Sequence, residues 1–443
     1  MGSAQRDSAA ALQAGIGVAD ITPTGPIRMA GWSSRDRASE GVSHPLYAKA
    51  LALRDAAGHT GVWVTADILG YSRTMADTLE RRLQERYGLS LDQVILGSSH
   101  NHSGPMTGDL LHLYFDLEPG EAGTVARYTE QFLERVAGVV GQALEDLAPA
   151  ELSMGFGLAG FGVNRRRARG ADTLGRPQAV DHDVPVLAVR ASDGALRGIL
   201  FGYACHTTAV YDYHINGDYA GYAQSSLEAA CPGATAMFAA GCGGDINPLP
   251  RWREGLGESC GAMLSAAVQD VLGGRYGAMA PVTGPLGTGA DEPLLSLLDP
   301  PGREALQDAL QRLGPDGSDV ERRAIEHQLA RLQRDGSLKD HCPYPIRVWR
   351  FGSKQLVIAL AGEPVVDYSL RFRAAYGWNR TWAAGYNHVL LAYIPSGRVL
   401  AEGDYEGTTG MLEYGLPGPF AGWVESTIAR SVNLLVTRLS SAP

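Results

Sequence analysis

Two histidines one residue apart, in Ser99-His100-Asn101-His102-Ser103-Gly104-Pro105, stand directly after the apolar run Val94-Ile95-Leu96. In an extended segment, side chains two apart point to the same side, so His100 and His102 are expected to converge on one centre that a metal ion can occupy. The competing account is a pair of loop histidines satisfied by hydrogen bonds. A flanking Gly-Pro that forces a tight exit from the strand favours the shared centre. His206 ends another apolar run, Ile199 to Ala204, inside Cys205-His206-Thr207-Thr208. Glu363 follows Leu356-Val357-Ile358-Ala359-Leu360 in Ala361-Gly362-Glu363-Pro364, and Tyr393 follows Val389-Leu390-Leu391-Ala392. Singly, each has an ordinary explanation, a loop acid before proline or a core tyrosine with a tethered hydroxyl. Together they stand just past strand-like runs, where open α/β sheets gather their ligands, and that common placement argues for one site. Asp67 and Asp218 are candidates to orient the histidines, and His214 and His388 are lesser candidates for substrate contact.

The glycine-rich stretch Gly241-Cys242-Gly243-Gly244 leads into Asp245-Ile246-Asn247-Pro248. Such a loop either turns N–H groups toward developing negative charge or is simply a tight turn. Its spacing is not that of a dinucleotide-binding Gly-x-Gly-x-x-Gly.

Elements able to position these residues alternate along the chain. Strand-like runs at 61–65, 93–96, 186–189, 198–203, 236–239, 346–351, 355–360 and 382–391 are interleaved with helical patterns at 73–87, 125–147, 219–230 and 255–272. This alternation predicts an α/β fold, a mixed β-sheet core flanked by helices. A charged helical stretch at about 294–340, broken by Pro300-Pro301 and Gly314-Pro315-Asp316-Gly317, reads as an inserted helical hairpin, a solvated excursion rather than a cap over substrate. An amphipathic helix is expected over 419–439. Residues 1–12 resemble a disordered or tag-like terminus, and with no linker in view 13–443 reads as a single large domain. The 443 residues are 45% hydrophobic and 19% charged, with a formal net charge of -10. That composition excludes wholesale disorder and makes nucleic acid an unlikely partner. No run approaches the 18 to 20 apolar residues of a spanning helix, so no integral membrane contact is expected. The five cysteines lack the paired spacing of a thiolate zinc site.

These motifs in this order resemble the neutral/alkaline (non-lysosomal) ceramidases, zinc-dependent amidases with an α/β catalytic domain. The resemblance runs from about Gly15 to Gly418. It is carried by Gly17-Val18-Ala19-Asp20-Ile21-Thr22, Leu46-Tyr47-Ala48-Lys49-Ala50, His100 to Pro105, Asn164-Arg165, Gly217 to Tyr222, Gly244 to Pro248, Gly362-Glu363-Pro364 and Tyr405-Glu406-Gly407. By that resemblance Zn(2+) is held by His100, His206, Glu363 and Tyr393, while His102, Arg165 and Tyr405 surround the scissile amide. Asn247 stands where the family carries an active-site serine, so no hydroxyl nucleophile acts from there. The family's further β-sandwich domain is expected to be missing, and long-chain ceramide is doubtful as substrate.

The implied reaction is hydrolysis of an amide (N-acyl) bond by metal-activated water, since zinc polarises a carbonyl and acidifies its water. His102 would move the proton, Arg165, Tyr405 and the glycine-loop N–H groups would stabilise the oxyanion, and Asn247 would orient the substrate. The alternatives are an esterase, lactonase or deacetylase using the same centre, or a catalytically silent metal-containing binding protein. The expected partner is a small-molecule N-acyl or ester substrate. A homo-oligomer is left open, and a secreted or periplasmic location is implied by the resemblance alone.

Overall fold

Strands buried on both faces form the outer parts of the larger of two sheets. In the computed structural model, which describes residues 12–168, 179–314 and 317–441, this sheet contains β1 (Leu12–Asp20), β2 (Tyr47–Arg54), β3 (Thr60–Ala66), β4 (Val94–Ser98), β5 (Ala148–Leu158), β6 (Asp183–Ala191), β7 (Leu196–Tyr203), β8 (Thr235–Ala240) and β9 (Ala280–Val282). Their order is β8-β7-β6-β5-β1-β2-β3-β4, with β9 also beside β5. The inner pairings are antiparallel, whereas β7–β8 at one edge and β3–β4 at the other are parallel. Every residue of β3 and of β4 is buried, as expected of parallel strands covered on both sides.

An odd number of antiparallel pairings separates β4 from β7, so in a flat sheet their carboxyl ends would lie at opposite ends. Twist of about 20–25° per strand pair, accumulated across the sheet, brings the edge strands β4 and β8 into contact. The loops that follow β4 and β7 thereby come together.

The second sheet comprises β10 (Leu286–Asp291), β11 (Ile346–Phe351) and β12 (Gln355–Leu360). After the two-residue β13 (Glu363–Pro364), β14 (Thr381–Ala384) joins this sheet parallel to β12, and β15 (Tyr393–Ile394) pairs in parallel with β13. The two sheets share one apolar layer. In it Trp63 meets Trp382 and Trp349 at ring-centroid distances of 5.2 and 6.3 Å. Outside the larger sheet lie α1 (Arg73–Tyr87) and α2 (Pro119–Glu145) against β2 and β3, and α3 (Asp218–Ala230) and α4 (Leu256–Leu272) against β6 to β8. The mixed sheet core with flanking helices is the architecture that the sequence predicts.

The expected hairpin is α5 (Arg303–Leu313) and α6 (Asp319–Asp335); Pro315 and Asp316 lie outside the described residues. It is not merely solvated. Ala324, Ile325 and Gln328 of α6 are buried, Arg323 donates to the carbonyls of Leu113 and Tyr114, and Gln328 donates to Gly415. Helices α7 (Asp367–Tyr376) and α8 (Val424–Ser441) cover the second sheet, α8 starting later than the pattern at 419 suggests.

Two other expectations need correction. Of the tag-like 1–12, Leu12 is buried and opens β1, and the rest lies outside the described residues. The strand expected over 382–391 stops at Ala384, because the chain turns through left-handed backbone at Tyr386 and His388, both with φ of 57°. That turn ties the two sheets together. Gly385 N donates to Ala240 O at the end of β8, while Ser98 N donates to Tyr386 O and His388 N to Leu96 O on β4. All five cysteines are free, and among the described residues no helix is long and apolar enough to cross a membrane.

In β1, an added Cβ at Gly17 would stand 2.1 Å from the carbonyl oxygen of Val139 in α2, which cannot retreat without breaking the helix. Gly17→Ala is expected to destabilise the fold by about 1–3 kcal/mol, read as a lower thermal midpoint. Gly25→Ala, where the new methyl meets nothing within 4 Å, should leave the midpoint nearly unchanged.

Candidate metal centre

The carboxyl end of β4 delivers His100 and His102, the segment after β7 delivers His206, and β13 delivers Glu363. The ligand nitrogens of the three histidines all lie within 4.8 Å of one another. Glu363 Oε2 is 3.2 Å from His100 Nε2 and 3.0 Å from His206 Nε2, and all four residues are buried. His100 and His102 converge as expected, but by a different route. His100 has a φ of 54°, so the segment is not extended, and its ring is set by stacking on Tyr386 at 4.3 Å.

Hydrogen bonds at the back of each ring fix what the front can do. His100 Nδ1 lies 3.0 Å from Leu69 O, His102 Nδ1 3.0 Å from Gly31 O, and His206 Nδ1 2.7 Å from Gly243 O. A carbonyl only accepts, so each Nδ1 carries the proton and, in a neutral ring, each Nε2 presents a bare lone pair. Burial, aided by the neighbouring imidazoles, pushes the His102 pKa well below the usual range. Burial and then Arg165 push that of His206 down to about 4.

The centre is therefore a set of acceptors facing one another. His100 Nε2 and His102 Nε2 are 3.1 Å apart, while His206 Nε2 and Glu363 Oε2 are buried with no hydrogen-bond partner. A cation among them resolves that conflict, and nitrogen with hard oxygen donors suits zinc. The residues fit the metal that the resemblance implies.

Tyr393 and Glu363 are direct register partners in the β13–β15 pair. Tyr393 hydrogen-bonds with Arg165 and stacks 6.2 Å from His206. Arg165 Nε donates to Glu406 Oε1 at 2.6 Å, its guanidinium faces the rings of Tyr393 and Tyr405, and its Nη2 is buried without a partner. Tyr393, Arg165, Tyr405, Asn247 and the four centre residues line one cavity of about 370 Å³. Every residue singled out by the sequence as metal-holding or catalytic is thus brought to a single pocket.

Other expectations fail. The N–H groups of Gly241 and Gly244 donate to Tyr203 O and Pro364 O, so they do not face the pocket. These glycines serve close packing: a Cβ at Gly244 would stand 2.5 Å from Glu363 O. Asp67 accepts from Tyr47 N and Gln224, and Asp218 accepts from the N–H groups of Ala209, Val210 and Tyr219. Backbone carbonyls, not these carboxylates, orient the imidazoles. His388 packs beside Glu80 and His214 is exposed, and neither lines the cavity.

Two participants escape the sequence reading. Tyr414 donates to Glu363 Oε1. Glu413 accepts from both Tyr114 and Tyr405 on one oxygen, and its pKa is raised by burial. Both lie on a short helical turn after 405, where no apolar run or motif marks them.

A family model described as neutral/alkaline non-lysosomal ceramidase, N-terminal, matches residues 12–268. The neutral ceramidase of Drosophila pseudoobscura pseudoobscura is 26% identical over 262 residues, and that of Drosophila melanogaster 25% over 260. Both alignments cover 54% of this chain and 36% of the relative, so the chain spans little more than a third of the length of the curated relatives it matches. The crystal structure of neutral ceramidase from Pseudomonas aeruginosa has the same fold, with a TM-score of 0.74 at 20% identity over 98% of this chain and 75% of that one. A ceramidase complexed with C2 gives 0.74 at 19% identity, covering 98% and 76%.

Because Tyr414 is the hydroxyl that holds the outer oxygen of Glu363, Tyr414→Phe is expected to weaken metal affinity about 10–100-fold. Competition against a chromophoric chelator measures it, and an unchanged affinity would show that Glu363 is held in place without Tyr414.

Proposed function

Since the chain belongs to the neutral/alkaline non-lysosomal ceramidase family, we propose that it is a zinc-dependent hydrolase of N-acyl amide bonds. The observation that carries this reading is the buried ring of bare acceptors, three imidazole Nε2 atoms and a carboxylate, at the floor of a cavity. In this reading His100, His206, Glu363 and Tyr393 hold the zinc. When bound, the ion supplies Lewis-acid polarisation of the acyl carbonyl and acidifies water.

The chain's own residues do the rest. His102, with Nδ1 anchored on Gly31 O, takes a proton at Nε2 and returns it to the leaving amine nitrogen. Its depressed basicity favours the second of those transfers. Arg165, fixed by Glu406, donates to the oxygen of the tetrahedral species, whereas Tyr405 gives its one proton to Glu413 and lines the cavity beside it. Asn247 has a buried, unpartnered Oδ1 at the cavity wall and accepts from the substrate N–H. A cavity of about 370 Å³ is near the lower end of the range for drug-sized ligands. That size supports a compact acyl amide rather than a long-chain ceramide.

The test is release of fatty acid from N-acyl amines by the zinc-loaded protein, with and without a chelator. Turnover is expected to vanish on metal removal and return with zinc. His102→Ala is expected to keep bound zinc while lowering kcat about 10²–10⁴-fold. Loss of zinc with unchanged turnover per bound ion would make His102 a metal ligand instead, and a rate confined to ester analogues would refute amide hydrolysis.

A further inference from the structure

Among the described residues, one cation of the cavity has no carboxylate counterpart. Arg251 lines the same pocket as the histidines, and among the described residues no carboxylate pairs with it. Its guanidinium lies 4.0 Å over the ring of Trp252. Arg165 lines the same cavity, so two guanidiniums border it, and burial and then the charge of Arg165 lower the Arg251 pKa. Arg165 has a carboxylate on Nε but leaves Nη2 buried and unpartnered. Half-buried like charges with vacant donors mark a place for an anion, because a carboxylate takes two such donors in charge-assisted bonds.

The wall beside Arg251 is apolar. Trp32, Tyr211 and Trp252 contact one another with ring centroids 5.5 to 5.8 Å apart, and Trp32 lies 5.0 Å from His102. Tyr211 and Trp252 are partly open to solvent beside Trp32. The anion donors, Trp32 and the histidine cluster therefore share one cavity, and Tyr211 and Trp252 continue the aromatic surface from Trp32.

Building on the amide-hydrolase reading, we infer that the preferred substrates are N-acyl amino acids, with the α-carboxylate held between Arg251 and Arg165 Nη2 and the acyl chain along Trp32, Tyr211 and Trp252. Water adds to the acyl carbon, the C–N bond breaks, and the nitrogen takes the proton that water gave up. The products are a fatty acid and a free amino acid, with no oxidant or further co-reactant.

The experiment compares two pairs of compounds on the zinc-loaded protein. Release of nonanoate is measured from N-nonanoylglycine and from N-nonanoylglycinamide, which lacks the negative charge. Binding is measured by calorimetry for 4-oxododecanoic acid, in which CH₂ replaces the amide N–H, and for its amide. The acids are expected to be favoured about tenfold or more in both kcat/KM and affinity, and Arg251→Gln should collapse both ratios toward one, chiefly through KM. Equal or better performance of the amides with the wild-type protein would overturn the inference while leaving amide hydrolysis standing. Conversely, acid-selective binding that depends on Arg251, without nonanoate release from either substrate, would uphold the anion site and refute the hydrolase reading beneath it.

Discussion

Four acceptor atoms pressed together without a proton between them are the constraint on which this structure turns. Three imidazole nitrogens and one carboxylate oxygen gain nothing from mutual approach in the absence of a cation, and burial denies them water. Their persistence is explained by how firmly each is held from behind. Every imidazole is pinned at Nδ1 by a backbone carbonyl, and Glu363 is pinned at its outer oxygen by Tyr414. The repulsion at the centre is thus offset by hydrogen bonds and packing at its periphery, and the geometry exists before any ligand arrives.

The fold supplies that rigidity through an arrangement that no single sheet provides. The twist of the larger sheet brings together the ends of β4 and β7. The short β13–β15 pair, reached from the second sheet, carries Glu363 and Tyr393 to the same place, and the turn at 385–388 binds β8, β4 and the second sheet with main-chain hydrogen bonds. Left-handed backbone at Tyr386, His388 and His100 is an energetic cost concentrated beside the centre. Stacking of Tyr386 on His100 shows what that cost secures, the orientation of a ring.

Much of this was legible in the sequence because β3, β4, β7, β8 and β12 are covered on both faces and read as unbroken apolar runs, with chemistry-bearing residues directly after them. Arg73–Tyr87, Ile346–Phe351 and Gln355–Leu360 are found at the expected bounds. What escaped was less periodic. In β1 and β5 partly exposed positions and glycines interrupt the apolar pattern, the glycines of β1 being required by the closeness of α2. The run 382–391 is apolar enough for a strand, and only tertiary hydrogen bonds make it a turn. The Gly241–Gly244 loop has the composition of an anion cradle, yet the N–H groups of Gly241 and Gly244 are used by the backbone around it. Tyr414 and Glu413 carry no signal at all, since a tyrosine and a glutamate on a short helix become notable only when Glu363 and Tyr405 are seen to touch them.

The tie between the two sheets also has a bearing on how the molecule comes into being. The imidazoles arrive with the first 206 residues, whereas the carboxylate and the phenol belong to a sheet completed only after residue 393. Joining them requires closure of loops far longer than any local contact, which makes assembly of the centre a late event in folding. Until then a nascent chain displays histidines without their acid. Competence and completion arrive together.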